Sequence, residues 1–355
     1  MRMIQLLLVV GALVVLVVLL ASPSATFLAE PTTAEPQPDT VPAEDARALS
    51  AEEPPAPNYA DTCDMPEFAP GAPRVNVTVI VFAWRRMPSL ERLVLSLQRA
   101  RYCGHPMPLR VLVDGQPLPE VVNFVRSFEW THGPKEVVEF DHAAGIRGMW
   151  INSSRADLGD DEHVLPLEDD IEVSPLWYWW ALRAARAYGP FGDGRAVRAR
   201  RLVGVSLYTP RLNEILYPQV RWLPDKATAS NAFLLQVPCS WGALYLGSMW
   251  RDFVTFYHAR AQPPFFNFTQ EAHQRGVGKN REPLGDPAVL LPRSRSNVWP
   301  RSWKRFMVDY MYGRGYVMLY PNMRLQQAFS TTYMERGDHT GTLRAPPLRA
   351  PVLHR

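Results

Sequence analysis

The stretch that decides how this chain is read is HVLPLEDDIEVSPLWYWWALRAARAYG, residues 163–189. An apolar run stops abruptly at three adjacent carboxylates, Glu168, Asp169 and Asp170, and the chain then enters an aromatic-rich helical pattern. Neighbouring negative charges repel, so a fold that sets all three at the end of a buried strand needs a cation beside them. Ser174 suits a helix N-cap and Pro175 a first helical position, which predicts a helix running from just past the triplet to Gly189. If the triplet continues the strand, alternation turns Glu168 and Asp170 to one side and Asp169 to the other. One face then suits a divalent metal and the other a ribose hydroxyl.

Upstream, VNVTVIVFAW (75–84) is β-branched and apolar, the pattern of a strand buried on both faces. Pro88 opens SLERLVLSLQRA, whose leucines at 90, 93, 95 and 97 predict an amphipathic helix. LRVLVDG is a second strand ending at Asp114, LPEVVNFVRSF a second helix, and EVVEF a third strand before Asp141. IRGMWINSSRA predicts a further helix, and RLVGVSLY (201–208) another strand. Strand and helix in alternation predict an α/β fold with a doubly wound, mostly parallel sheet. Ligands of such sheets bind at the carboxyl ends of the strands, where Arg86, Asp114, Asp141 and the triplet all fall. Beyond Ser240 come a glycine turn with a helical stripe (SWGALYLGSMWRDFVTFYHAR), a short helix (PRSWKRFMVDYMYGRG) and a strand followed by a loop (VMLYPNMRLQQAFSTTYMERGDHTG).

With 355 residues, 47% of them hydrophobic, the chain can bury a large core. Residues 1–73 do not share that pattern. Residues 3–21 are apolar except for Gln5, about 28 Å of helix against a bilayer core of about 30 Å, which predicts a signal-anchor helix, a cleaved signal peptide being the rival. Residues 22–73 hold 11 prolines, ten acids and the single base Arg47, the composition of an extended, disordered stem. The remainder, 74–355, carries a surplus of 11 positive charges that the overall +3 conceals, and such a domain favours anionic ligands. Three cysteines exclude a disulfide scaffold, and no Cys/His spacing suggests zinc. In an oxidising lumen one pair and one free thiol are expected, with Cys63–Cys103 preferred because Cys239 lies far along the chain. Asn76, Asn152 and Asn267 head glycosylation sequons.

Taken together, a strand ending in Arg, a strand ending in Asp, a His-containing turn and LEDDIEV with its aromatic helix resemble the GT-A nucleotide-sugar glycosyltransferases. Within them the chain is most similar to the N-acetylglucosaminyltransferase I group, inverting Golgi enzymes whose variant of the DxD motif is EDD followed by an LEVAP-like stretch, here IEVSP. The resemblance runs from about residue 75 to about 341 and implies a GT-A catalytic domain over 74–355, with a nucleotide half at 74–205 and an acceptor half at 206–341. It implies that Arg86 and Asp114 bind uridine and ribose, that His142, in an H…G turn closed by Gly148, lies beside the nucleotide, and that Glu168 and Asp169 contact sugar or ribose. Asp170 becomes the single protein ligand of Mn²⁺ or Mg²⁺. Trp241 and Gly242, in SWG, lie near the donor sugar, Asp309, in FMVDYM, is the catalytic base, and His339 is a diphosphate contact. Pro166 inside the strand, the single acid in FMVDYM and the family's missing cysteines are departures from the pattern.

The resemblance thus implies a metal-dependent transferase moving a sugar from a nucleotide donor, UDP above all, to a glycan or glycoprotein acceptor with inversion. It would be a single-pass type II protein of the Golgi or another secretory-pathway membrane, with a luminal catalytic domain and no nucleic-acid partner. Two rivals remain on the residues alone: a non-catalytic glycan-binding protein on the same fold, and a glycoside hydrolase using Glu168 with a second acid.

Overall fold

A computed structural model describes residues 59–72, 74–153, 158–188, 201–213, 220–221, 223, 230–260, 296, 299, 301–333 and 335. The apolar run at 3–21, Asn267 and His339 lie outside them. Among the described residues no helix is long and apolar enough to cross a membrane.

The first half follows the alternation of its sequence: β1 (Asn76–Ala83), α1 (Met87–Gln98), β2 (Leu109–Val113), α2 (Pro119–Ser127), β3 (Lys135–Glu139), α3 (Gly145–Asn152), β4 (Glu162–Leu167), β5 (Ile171–Val173), α4 (Trp177–Tyr188) and β6 (Leu202–Ser206). Then come β7 (Leu212–Asn213), β8 (Val220–Arg221), β9 (Ala232–Leu235), β10 (Ala243–Tyr245), α5 (Gly247–Arg260), α6 (Lys304–Arg314), β11 (Val317–Pro321) and β12 (Ser330–Thr332). Eight strands form one sheet in the order β3-β2-β1-β4-β10-β6-β11-β9. The β1–β2, β2–β3, β1–β4 and β6–β11 pairs are parallel, whereas β10 and β9 pair with their neighbours antiparallel. The sheet is therefore mixed and mostly parallel, with helices on both faces.

Burial on both faces explains the unbroken apolar runs. Val77, Val79 and Val81 of β1 pack with Leu90 and Leu93 of α1, Val121 of α2 and Trp177 of α4 in one cluster. Ile80 and Phe82, one pleat away, join Trp150 of α3, Trp250 of α5 and Tyr310 of α6 in the other. The α1 stripe is narrower than its leucines suggest, because Leu95 is 40% exposed. Strand order reverses at β1: β2 and β3 lie on one side, β4 on the other. That switch point opens a crevice between the carboxyl ends of β1 and β4, the place where ligands of open α/β sheets bind.

Three features call for a physical account, and the second and third depart from the sequence reading. Pro166 does sit inside β4, opposite Ile80. It is tolerated there because β10 pairs with β4 only at Tyr245–Val164, so that flank of the ladder is already interrupted. The strand β10, hidden in what reads as a glycine turn, inserts antiparallel between β4 and β6. There the β6 backbone at Gly204 runs so close that a Cβ would lie 2.3 Å from the Leu244 carbonyl oxygen.

The third concerns residues 59–72, inside the stretch read as stem. They form 3₁₀ turns at Tyr59–Asp64 and Pro66–Phe68 and are attached to the domain. Cys63 is bonded to Cys103, the preferred pair, and Cys239 is a buried free thiol. Phe68 meets His105 edge-on at 5.4 Å, and Glu67 pairs with Arg183 of α4 at 2.9 Å. The folded unit thus begins upstream of Arg74. A bridge between residues 40 apart constrains the unfolded chain. Reducing it, or replacing both cysteines by serine, is expected to cost about 2–4 kcal/mol in urea unfolding of the domain.

Candidate functional site

The triplet is not the end of a strand. β4 stops at Leu167, and Ile171 N–H donates to the Glu168 carbonyl at 3.1 Å, so Asp169 and Asp170 occupy the centre of a tight turn into β5. Strand alternation does not apply, and the two aspartates reach the same cation. Arg86, where α1 starts beyond the end of β1, donates through Nε to Asp169 Oδ2 at 3.1 Å and through its second fork to Asp169 Oδ1. Its remaining nitrogen lies 3.6 Å from Asp170 Oδ2. β1 and β4 thus meet across the switch point through a bidentate guanidinium–carboxylate pair, the strongest geometry such a pair can adopt.

One guanidinium does not neutralise three carboxylates. Glu168 is pushed up to about 8 by burial and by repulsion from Asp170, although Trp150 Nε1–H donates to its Oε1 at 3.0 Å. Asp169, despite its bond to Arg86, is raised by burial to about 6, and Asp170 is also raised, again mainly by burial. The turn thus holds more carboxyl groups than Arg86 alone neutralises. Among the described residues no group of three or more His, Cys, Asp or Glu side chains is arranged to hold a metal ion. A hard cation of the Mg²⁺ or Mn²⁺ kind does not need one, since it binds through one or two carboxylates together with substrate phosphates and water.

The other expected residues divide. Asp114 is buried at the end of β2, and main-chain donors engage both its oxygens: Gly115 N at 2.9 Å and Ala144 N at 2.6 Å on Oδ1, Gly145 N at 3.0 Å on Oδ2. It caps α3 from outside, a favourable place for a carboxylate. His142 is exposed in the turn that Asp114 holds, and its backbone lies so close over Gly115 that a Cβ there would be 2.2 Å from the His142 carbonyl carbon. Asp114 therefore acts on the triplet at one remove, by fixing the helix whose Trp150 holds Glu168. Trp150 is fully buried and stacked on Trp303, with ring centroids 4.0 Å apart.

Trp241 and Gly242 come to the same region. Gly242 has φ +95°, and a Cβ there would lie 2.9 Å from Ser330 Oγ and 3.6 Å from Leu167 Cδ2, the residue before the triplet. Ser330 Oγ donates to the Trp241 carbonyl at 2.6 Å, while the Trp241 ring stands edge-on to Tyr208 at 4.8 Å with the Lys304 ammonium 5.9 Å from its centroid. Asp309 is placed differently. It is 3% exposed on α6, and Arg260 of α5 lies 3.6 Å from its Oδ2.

Sequence reasoning missed Trp150, Arg92 and Glu335. Glu335 N–H donates to Asp170 Oδ2 at 3.3 Å, and its carboxylate is paired with Arg92 at 2.6 Å. No local pattern links residues so far apart in the chain.

Neither a protein-family model nor a curated protein sequence matches the chain. Solved structures do. The crystal structure of S. aureus TarS 1–349 in complex with UDP-GlcNAc matches at 11% identity and TM-score 0.39, over 76% of this chain and 62% of that one. GalNAc-T7 with UDP, GalNAc and Mn²⁺ matches at 10% identity and TM-score 0.39, over 70% and 42%. The mannosyltransferase PcManGT from Pyrobaculum calidifontis, in complex with GDP-Man and Mn²⁺, matches at 14% identity and TM-score 0.37, over 79% and 60%. The match spans about half of TarS 1–349 free or with UDP (48%) and 62% of its UDP-GlcNAc complex. What each of these proteins binds remains a property of that protein.

The carboxylate surplus has a consequence for pH. A carboxyl group whose folded value is raised binds a proton that the unfolded chain has released, so stability falls as pH rises between the two values. For Glu168 that window runs from the ordinary carboxylate range to about 8. Metal-free protein is expected to lose stability to urea from pH 5 to pH 8, and Glu168→Gln is expected to flatten that part of the profile.

Proposed function

We propose that the chain is a GT-A glycosyltransferase of the secretory pathway that uses a nucleotide-sugar donor, UDP-linked, and a divalent metal. The observation that carries this is the charge arrangement at the β1–β4 switch point, where Arg86 clasps a turn of acids whose residual charge calls for a cation. The resemblance of LEDDIEV and its flanks to the EDD group points to the same chemistry. Asp170 would be the protein's metal ligand, with Mn²⁺ or Mg²⁺, when bound, supplying Lewis-acid stabilisation of the leaving diphosphate. Arg86 holds the turn in place, and Trp150 and Arg86 fix the two neighbouring carboxylates for contacts to sugar and ribose. Trp241, beside the glycine turn, offers an aromatic face to the donor sugar.

The compartment follows from separate observations. The Cys63–Cys103 bridge suits an oxidising lumen, and Asn76 and Asn152 of the sequons are exposed. With the apolar run at 3–21 as anchor, these support a type II Golgi protein acting on a glycan or glycoprotein acceptor.

Calorimetry with UDP and Mn²⁺ tests the donor site. The expected result is Mn²⁺-dependent UDP binding that Asp170→Ala abolishes while the variant still unfolds cooperatively. UDP affinity unaltered in that variant would remove the central assignment, and donor binding without any sugar transfer would leave a glycan-binding protein on the same fold.

The base is carried over from the resemblance as Asp309, whose loss should slow transfer by about 10² or more with UDP and Mn²⁺ affinity unchanged. Asp309→Asn is the sharp substitution, because it keeps shape and removes proton acceptance. A full transfer rate accompanied by lower stability would instead mark the buried pairing with Arg260 as the role of Asp309.

A further inference from the structure

Asp170 stands in a two-residue turn, and one carboxylate serving as the protein's whole share of a metal shell must be held in a single orientation. The structure shows what holds it. The chain leaving β12 passes over the turn: Tyr333 N–H donates to the Asp170 carbonyl at 2.9 Å, and Glu335 N–H donates to Asp170 Oδ2 at 3.3 Å. This crossing is pinned from α1. Ser89 Oγ–H donates to Glu335 Oε2, and Arg92 pairs with Glu335 Oε1 at 2.6 Å. The Arg92 guanidinium carbon also lies over the Tyr333 ring, 3.6 Å from its centroid, while the Tyr333 hydroxyl donates to Glu172 of β5. Backbone and side chain of Asp170 are thereby tied to one clasp that joins α1, β5 and the chain beyond β12.

We propose that Arg92 and Glu335 are positioning residues that hold the Asp170 carboxylate ready for the metal. The proposal rests on the reading of Asp170 as a metal ligand and names the residues that orient it. Groups that orient a ligand from behind typically change metal affinity by about 10- to 100-fold when removed. The clasp contributes little to folding by comparison. The side chains of Arg92 and Glu335 are 28% and 33% exposed, and ion pairs open to water contribute little to stability. An effect on metal binding without a matching effect on stability is therefore the signature that separates orientation from general support.

The experiment is a Mn²⁺ titration of UDP binding by calorimetry, with urea unfolding in parallel, on the unmutated protein and on Asp170→Ala, Arg92→Ala, Arg92→Lys and Glu335→Ala. Arg92→Ala and Glu335→Ala are expected to raise the Mn²⁺ concentration for half-maximal UDP binding about tenfold. At saturating Mn²⁺ their UDP affinity should return to that of the unmutated protein, and Arg92→Lys, which keeps the charge, should recover part of the loss. If both alanine variants keep the unmutated Mn²⁺ requirement while Asp170→Ala abolishes binding, the clasp is overturned and the metal site stands. Weakened UDP binding that persists at saturating Mn²⁺, in step with lost stability, also overturns it in favour of a structural role. If the unmutated protein shows no Mn²⁺-dependent UDP binding, the metal reading falls and the clasp falls with it.

Discussion

The arrangement hangs on one charge interaction, the guanidinium of Arg86 set between the carboxyl ends of β1 and β4. Burying three carboxylates in a single turn is unfavourable, because each loses hydration and each repels the others. Arg86 offsets part of that cost through a bidentate pair with Asp169 and a longer approach to Asp170. The rest is distributed. The Trp150 indole N–H answers Glu168, and the backbone N–H of Glu335 answers Asp170. The remaining imbalance shows in the Glu168 and Asp169 carboxyls, both raised chiefly by burial.

This accounts for the order in which the surrounding structure is assembled. Asp114 caps α3, α3 carries Trp150, and Trp150, stacked on Trp303, carries Glu168. On the other flank Gly242 lets Ser330 and Leu167 approach, which ties β12 to the turn between β4 and β5. The residues with the most visible chemistry are thus supported by apolar packing behind them, and the site inherits its rigidity from the two cores that sandwich the sheet.

Much of this was legible in the sequence, for physical reasons. Strands buried on both faces leave continuous apolar runs, and β1, β2, β4 and β6 announce themselves that way. Charged residues after apolar runs single out Arg86, Asp114 and the triplet in the sequence itself. What stayed hidden depends on tertiary proximity. The triplet reads as strand because turn geometry there is set by one backbone bond, Ile171 to Glu168, and not by a glycine or proline. β10 is three residues long, too short to show a period, and its direction comes from its neighbours. The Ala144 amide that Asp114 binds lies 30 residues away, so its capping of α3 leaves no local trace. Arg92 on α1 looks like an ordinary surface base until Glu335, 243 residues later, comes to rest on it.

The covalent link near the start of the folded unit has a mechanical consequence. The peptide chain enters the sheet at Asn76, but Cys63 is already bonded to Cys103, in the connection between α1 and β2. A pull on the chain upstream of Cys63 is delivered through the sulfurs to that connection, and the backbone between Cys63 and Asn76 stays slack. The central strand β1, whose carboxyl end leads to Arg86, is thereby shielded from tension. Tension that reaches the domain from its amino end thus bypasses the crevice between β1 and β4.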